Sequence, residues 1–478
     1  MGNQIYFLSQ NLALVLVFSS SIIFAVIGIT YSRKYRGLTN YLTAGRKVGS
    51  LSLTSSLVAS ALGAWILFGP ASAATWGGIG SVIGYSLGTA FPMIALIYLG
   101  KKIRKVFPSG ITFTQFIYHK VGKNLFKLVL LLSIFYMFIF LCAEVTAVSM
   151  LINYISGTPL WVTATFVVVT TLIYTLYGGL RASILTDNFQ FLIILILLLI
   201  CGYNLFNFDY ISYELIQNNS GNLLSAKYIP NYTAGLTFFV AVAATNLFHQ
   251  GNWQRVFAAK NYEVLNKSLK LSFLIIVPIV FFMGTCGIIA VSVDSKINPD
   301  LAFFSILLKD KSEFLSMVVI ILAISLTVST TDTLINAISS LIFVDGKKIN
   351  KNLKSSNAFV IVISAISLVV ASKGFSILYL FLLADLLCCA AVFTVFYAFY
   401  KKNLKEKDLI LSIILGLFLG FLFFPSPDFS NSILVGKLIP FNLFPEIIRN
   451  YLLFWSFLFA TAGPIIFILF RGNLIKLN

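Results

Sequence analysis

Runs of about twenty apolar residues, separated by short polar and basic clusters, recur from one end of the chain to the other. A bilayer core about 30 Å thick is crossed by about 20 apolar helical residues, so the pattern predicts membrane-spanning helices. Thirteen spans are expected, near 9–31, 49–79, 80–100, 125–154, 160–177, 183–205, 233–252, 271–293, 313–344, 356–372, 376–399, 408–424 and 450–470. The second and fourth are longer than one crossing needs, which leaves room for an interfacial turn or a break. The first run is too long, and too closely followed by others, for a cleaved signal peptide. No polar block is large enough for a domain outside the membrane. A single membrane domain over residues 1–478 is therefore expected.

Composition supports this reading: 59% of residues are hydrophobic and 10% charged, against about 25% charged in soluble domains. The net charge of +18 does not point to nucleic acid, because the basic residues lie in the loops. One set of loops holds Arg33, Lys34, Arg36, Arg46 and Lys47, then Lys101, Lys102, Arg104 and Lys105. It continues with Lys347, Lys348, Lys351 and Lys354, then Lys401, Lys402, Lys405 and Lys407. The opposite set holds Lys227, Lys296, Lys309, Lys311, Lys373, Lys437 and Arg449, seven of the 34 Lys and Arg, which leaves 27 on the first side. The positive-inside rule makes the rich side cytoplasmic, with the N-terminus outside and the C-terminus inside. The five cysteines lie in apolar runs without metal-ligand spacing and are expected to be packing residues.

Four acidic residues fall inside spans: Glu144, Asp187, Asp332 and Asp385. A carboxylate in the bilayer costs several kcal/mol unless paired or hydrated, and marks a functional site by default. No Lys or Arg is expected deep in a span to pair with them. Either a coupling cation or cationic substrate group supplies the missing charge, or the acid is neutral and hydrogen-bonded in the bundle. In the ninth span, Ser325, Ser329, Asp332, Thr333, Asn336 and Ser340 recur at three- and four-residue spacing. They form one polar helical stripe, fit to line an ion or substrate path, although Ser and Thr also bond the preceding turn. The second span is rich in small residues and carries Gly69–Pro70, and broken helices in transporters free carbonyls for Na⁺. The seventh span ends polar, and lies five spans later. That offset suits an inverted repeat of five plus five helices, over 49–205 and 233–399, with an extra helix at 9–31 before it and two helices over 408–470 after it. His249 is expected near the inner end of the seventh span, as a hydrogen-bonding interfacial residue or a proton carrier. There is no phosphate-binding loop, HExxH or Ser–His–Asp constellation, so no enzyme is expected.

Four stretches together resemble the sodium:solute symporter family. They are "ASALGAWILFGPASAATWGGIG", "YGGLRASILTDNFQ" (Tyr177–Gln190), "HQGNWQRVFAAK" (His249–Lys260) and "STTDTLINAISS" (Ser329–Ser340). They stand in the family's order over nearly the whole chain. The resemblance implies an all-α LeuT-type fold and a Na⁺ site between the first and eighth core helices. Carried over, Ala59, Leu62 and Leu326 would offer carbonyls, and Ser329 and Thr330 hydroxyls. Relatives often have Ala where Leu326 stands. Asp187, with Ser329, Asp332 and Thr333, would serve coupling or a second ion, and Asp332 leaves Na⁺ and H⁺ both open. The resemblance places the substrate halfway across, near Ser60, Trp65, Glu144, Asn246, Phe248 and Asp385. Its branch is loosely that of urea, proline and pantothenate carriers, on "FPSGITFTQFIYHKVG" and "LYLFLLADLLCC". Glu144 and Asp385 either favour a solute with amine or amide donors or are structural and protonated.

The expectation is a Na⁺-coupled symporter that carries a small polar solute into the cell by alternating access, in the cell (inner) membrane. Urea and amino acids are examples of such a solute. The alternatives are a proton-coupled or uncoupled carrier, and a transporter-like solute sensor. Na⁺, the solute and the lipid bilayer are the expected partners.

Overall fold

The apolar runs fold into helices, which alone satisfy the backbone of an isolated segment in a bilayer. The computed structural model describes residues 6–35, 37–349, 356–401, 404–435 and 443–477. Of the basic residues counted for orientation, Arg36, Lys351, Lys354, Lys402 and Lys437 lie outside them. Among the described residues the only strand-like pairings are two isolated bridges, Val48 with Ala259 and Pro425 with Ser432.

The main helices begin with Gln10–Ser32 (α1), Ser50–Ala61 (α2), Gly69–Val106 (α3), Lys123–Ser156 (α4) and Leu160–Phe206 (α5). Ile229–Phe248 (α6), Gln250–Ala258 (α7), Tyr262–Val293 (α8) and Glu313–Ser340 (α9) follow. Ser356–Ala371 (α10), Ile377–Tyr397 (α11), Glu406–Phe423 (α12) and Leu452–Leu477 (α13) complete the set. Eight of the described helices are long and apolar enough to cross a membrane.

Two of these are too long to be single rods. The 38 residues of α3 and the 47 of α5 would extend about 57 and 70 Å at 1.5 Å per residue. Each breaks at a glycine in the left-handed region, Gly78 (φ 57°, ψ −156°) and Gly179 (φ 57°, ψ −149°). A side chain is disfavoured at that φ, so glycine is required. The chain doubles back there. Ala71 before Gly78 and Val82 after it, eleven residues apart, touch α8 at Gly287 and Gly284, within one turn of each other.

Burial grades outward from α9. Its most apolar stretch is 83% buried and that of α1 is 33%. Val15, Phe18, Ile23 and Val26 on α1, and Leu192 and Leu199 on α5, face outward. An exterior this apolar fits lipid rather than water. The centre holds the polar residues instead.

The expected fourth span is the unbroken helix α4. The expected seventh, 233–252, is corrected: it runs as α6 and α7 to Ala258, interrupted at His249.

Candidate functional site

Two interrupted helices meet at the centre. After α2, Leu62 (φ −99°, ψ 85°) and extended Gly63 lead into a tight turn over Ala64–Leu67 before α3 begins. A helix end leaves carbonyls without intrahelical partners. Leu62 N–H still donates to Val58, but among the described residues no hydrogen bond reaches the Ala59 or Leu62 carbonyls. Across the break, the Ala64 and Trp65 N–H groups donate to the Glu144 carboxylate at 2.8 and 3.4 Å. The carboxyl oxygens thereby satisfy N–H groups that the start of the turn leaves without helical partners. Glycine is needed at position 63, because a Cβ there would sit 2.8 Å from Thr330 Oγ1 and press on Glu144.

The second break lies at His249 (φ −68°, ψ 112°), whose Nδ1 accepts from Gly251 N–H at 2.9 Å. Side chains beyond the break close the open end of α6. Asn252 Nδ2 donates to the Asn246 carbonyl and Trp253 Nε1 to that of Leu247, at 2.8 and 2.9 Å. His249 therefore sits at the break in the bundle and not at an inner interface.

Next to the first break, Thr330 Oγ1 is buried and has no hydrogen-bond partner among the described residues. Ser329 Oγ donates to Asp187 Oδ1 at 2.7 Å, and Leu326 lies one turn earlier in α9. The free carbonyls of the break and the orphan Thr330 hydroxyl are hard oxygen donors of the kind a small cation takes.

The expectation that no basic residue lies deep in the membrane domain is overturned. Arg255, on α7, is fully buried and pairs with Asp187 Oδ2 at 2.9 Å. Its Nε donates to Ser56 Oγ (2.8 Å), Nη1 to the Gly251 carbonyl (3.1 Å) and Nη2 to Thr333 Oγ1 (2.9 Å). Asp187 also accepts from Ser56 Oγ. Asp332 accepts from Tyr174 Oη (2.6 Å), Ser183 Oγ (2.7 Å) and Thr186 Oγ1 (3.2 Å). Arg255 thus pairs with Asp187 alone, and Asp332 joins it only through the Ser183 and Thr333 hydroxyls. The sequence carries Arg255 in its WQR stretch, but the expected seventh span ends at 252, before it. In the polar stripe of α9, Ser325 bonds back to the Ile321 carbonyl and Ser340 to that of Ala337.

A small pocket of about 30 Å³ lies between the breaks, lined by Ser60, Trp65, Asn246 and Asp385 of the expected set. Tyr85, Phe140, Thr245, His249 and Phe381 also border it, and were not singled out as its walls in the sequence. Two expected contacts are revised. Glu144 is turned to the helix break, and Phe248 packs edge-on against Phe113 and Tyr136. Asp385 Oδ1 accepts from Thr245 Oγ1 at 2.6 Å, and no hydrogen bond from the described residues reaches its other oxygen. No Lys or Arg lines the pocket. Among the described residues no three His, Cys, Asp or Glu side chains group as a transition-metal site.

Known proteins share this architecture. The sodium:solute symporter family model matches residues 41–416. The spermidine transporter DUR31 of Candida albicans is 27% identical over 402 residues, covering 82% of this chain and 77% of that protein. The urea active transporter of Saccharomyces cerevisiae is 23% identical over 188 residues, 37% of this chain and 24% of that protein. Among solved structures, a substrate-bound, outward-open Na⁺-coupled sialic acid symporter aligns with a TM-score of 0.72 at 14% identity, over 97% of both chains. The nucleobase-cation-symport-1 transporter Mhp1, in a closed conformation, aligns at 0.56 and 16% identity, over 90% of this chain and 96% of that one. At these identities the structures speak for the fold.

Proposed function

Because the chain belongs to the sodium:solute symporter family, we propose that it is a Na⁺-coupled carrier that brings a small amine- or amide-bearing solute into the cell by alternating access. It is a multi-pass membrane protein whose relatives and structural neighbours are transporters, not enzymes. The observation that carries the coupling is the orphan Thr330 hydroxyl beside the unpaired Ala59 and Leu62 carbonyls. With Leu326 and Ser329 they form the proposed Na⁺ site. Na⁺ there ties α2 to α9 and orders the adjoining turn that carries Trp65 into the solute pocket. Loss of Na⁺ to a low-sodium interior loosens the same contact and releases the solute.

The fold reading behind this has thirteen crossings. α3 beyond Gly78 and the two parts of α5 on either side of Gly179 cross separately, and α2 with the start of α3, like α6 with α7, forms one broken crossing. The two broken crossings are the first members of two five-crossing repeats. The N-terminus is outside, the C-terminus inside, and the membrane is the cell (inner) membrane.

Asp385 and Asn246 offer the pocket an acceptor and an amide, which supports a solute with N–H donors. The fungal relative named as a spermidine transporter supports an amine in particular. A second coupling ion, Na⁺ or H⁺, is favoured by one feature: Asp187, Asp332 and Thr333 surround a network with two carboxylates and one guanidinium.

The test is the double substitution Ser329→Ala with Thr330→Ala. The Na⁺ concentration for half-maximal uptake should rise about tenfold or more, with membrane insertion retained, since loss of about 1.4 kcal/mol of ion binding gives that factor. Unchanged Na⁺ dependence removes the site.

A further inference from the structure

A second, larger cavity of about 460 Å³ lies beyond the central pocket along the same two helices. On α6 it is lined by Thr233 and Thr237, where the pocket reaches Val242 and Thr245. On α11 it is lined by Leu378, where the pocket reaches Phe381 and Asp385.

The wall between the two chambers is aromatic. Trp65 stacks on Tyr85 at 5.6 Å, Tyr85 on Phe238 at 4.8 Å, and Phe238 meets Trp76 at 5.8 Å. Trp65 and Tyr85 line the pocket and Trp76 lines the cavity. A mostly buried carboxylate stands at each end. Asp385 is at the pocket. Asp300 is at the cavity, accepting from Ser72 Oγ at 3.2 Å and Ser376 Oγ at 3.5 Å, with no ion pair among the described residues. From Ser376, beside Asp300, to Asp385 the helix rises nine residues, about 14 Å. Asp428 and Arg449, one charge of each sign, also line the cavity, with no ion pair between them among the described residues.

We propose that the larger cavity is a second cation subsite, and that the solute is a linear aliphatic amine with two or more ammonium groups, one held at Asp385 and another at Asp300. This rests on the reading that the central pocket carries the solute. Ammonium groups are held by unpaired carboxylates and by aromatic faces, and a methylene chain between them suits an apolar aromatic wall. A pocket of about 30 Å³ has room for little more than a water, so the ligand's inner end enters only as the aromatic wall parts. The cavity holds the outer end before and after that step. A neutral amide gains from neither carboxylate as a counter-ion, and a monoamine gains from one.

The experiment is binding to the purified full-length protein in nanodiscs, with butylamine, putrescine, spermidine, spermine and urea as probes. Affinity should rise about tenfold from butylamine to spermidine, equivalent to about 1.4 kcal/mol. Asp300→Asn should bring spermidine down to the affinity of butylamine, and Asp385→Asn should weaken every amine. Thr233→Arg keeps Asp300 and adds a repelling charge to the cavity. It should mimic Asp300→Asn even if that variant folds poorly. Butylamine binding as tightly as spermidine, or both amines losing equally in Thr233→Arg, overturns the subsite. Na⁺-driven uptake of another solute without spermidine binding removes this inference and leaves the carrier reading. Length-dependent polyamine binding without any uptake does the reverse.

Discussion

Arg255 and Gly63 each hold the centre together by a single physical feature. The Arg255 guanidinium is wholly buried against Asp187, so its removal strands a carboxylate. Breaking a buried pair from one side costs about 3–5 kcal/mol. Arg255→Ala should therefore lower the melting temperature of the purified protein sharply, and adding Asp187→Asn should recover part of the loss. A double variant as unstable as the single one would show that the pair matters little. Arg255→Lys should not rescue fully, because an ammonium cannot make the fork of bonds to Ser56, Gly251, Asp187 and Thr333. Gly63→Ala tests a different feature. Its methyl would sit 2.8 Å from Thr330 Oγ1, in the space proposed for Na⁺. Uptake should fall at least about tenfold while insertion persists, a loss of about 1.4 kcal/mol or more. Normal Na⁺-dependent uptake in that variant would place the ion elsewhere.

At the scale of elements, the two breaks differ in how far the sequence disclosed them. The first was legible because small residues and Gly69–Pro70 weaken helical continuity, although the break itself falls just before them, at Leu62–Phe68. The second has no such punctuation. It is held open by Asn252 and Trp253 reaching back to carbonyls at the end of α6, and by the His249 cap. Hydropathy treats the polar residues of α7 as a loop, and only the packed bundle shows that every one of them is buried. Hence Arg255 was missed while Asp187, on an apolar helix, stood out. The segment Pro299–Leu301 supports a pH prediction. Burial raises the Asp300 carboxyl above its ordinary 3.8, against smaller opposing effects of the Ser72 and Ser376 hydroxyls. The hydroxyls of Ser426 and Ser430 hold exposed Asp428 down at about 2, and Arg449 is the remaining charged group at the cavity. As pH falls, Asp300 loses its charge before Asp428 does, and attraction for a cation goes with it. Spermidine affinity should weaken with acidification more in the wild type than in Asp300→Asn. Parallel pH profiles would exclude Asp300 as the cause.

For the whole molecule, eight long apolar helices stand against thirteen expected spans, and glycine breaks divide two of the eight, α3 and α5. The expected boundaries between spans 49–79 and 80–100, and between 160–177 and 183–205, fall at those two glycines. Orientation follows from the basic loops and is open to test, since all five native cysteines are buried. A membrane-impermeant maleimide should label Ser430→Cys in intact cells and Lys105→Cys only after permeabilisation, both positions being exposed. The opposite pattern would invert the topology. The substrate was the least legible feature, because Tyr85, Phe140, Thr245 and His249 come to Asp385 from other elements. The decisive measurement is uptake of radiolabelled spermidine and urea into proteoliposomes holding the purified protein, under an inward Na⁺ gradient and with choline in its place. Na⁺-coupled carriage of an amine gives spermidine accumulation above equilibrium with Na⁺ and none with choline. Equal uptake in both media would contradict Na⁺ coupling.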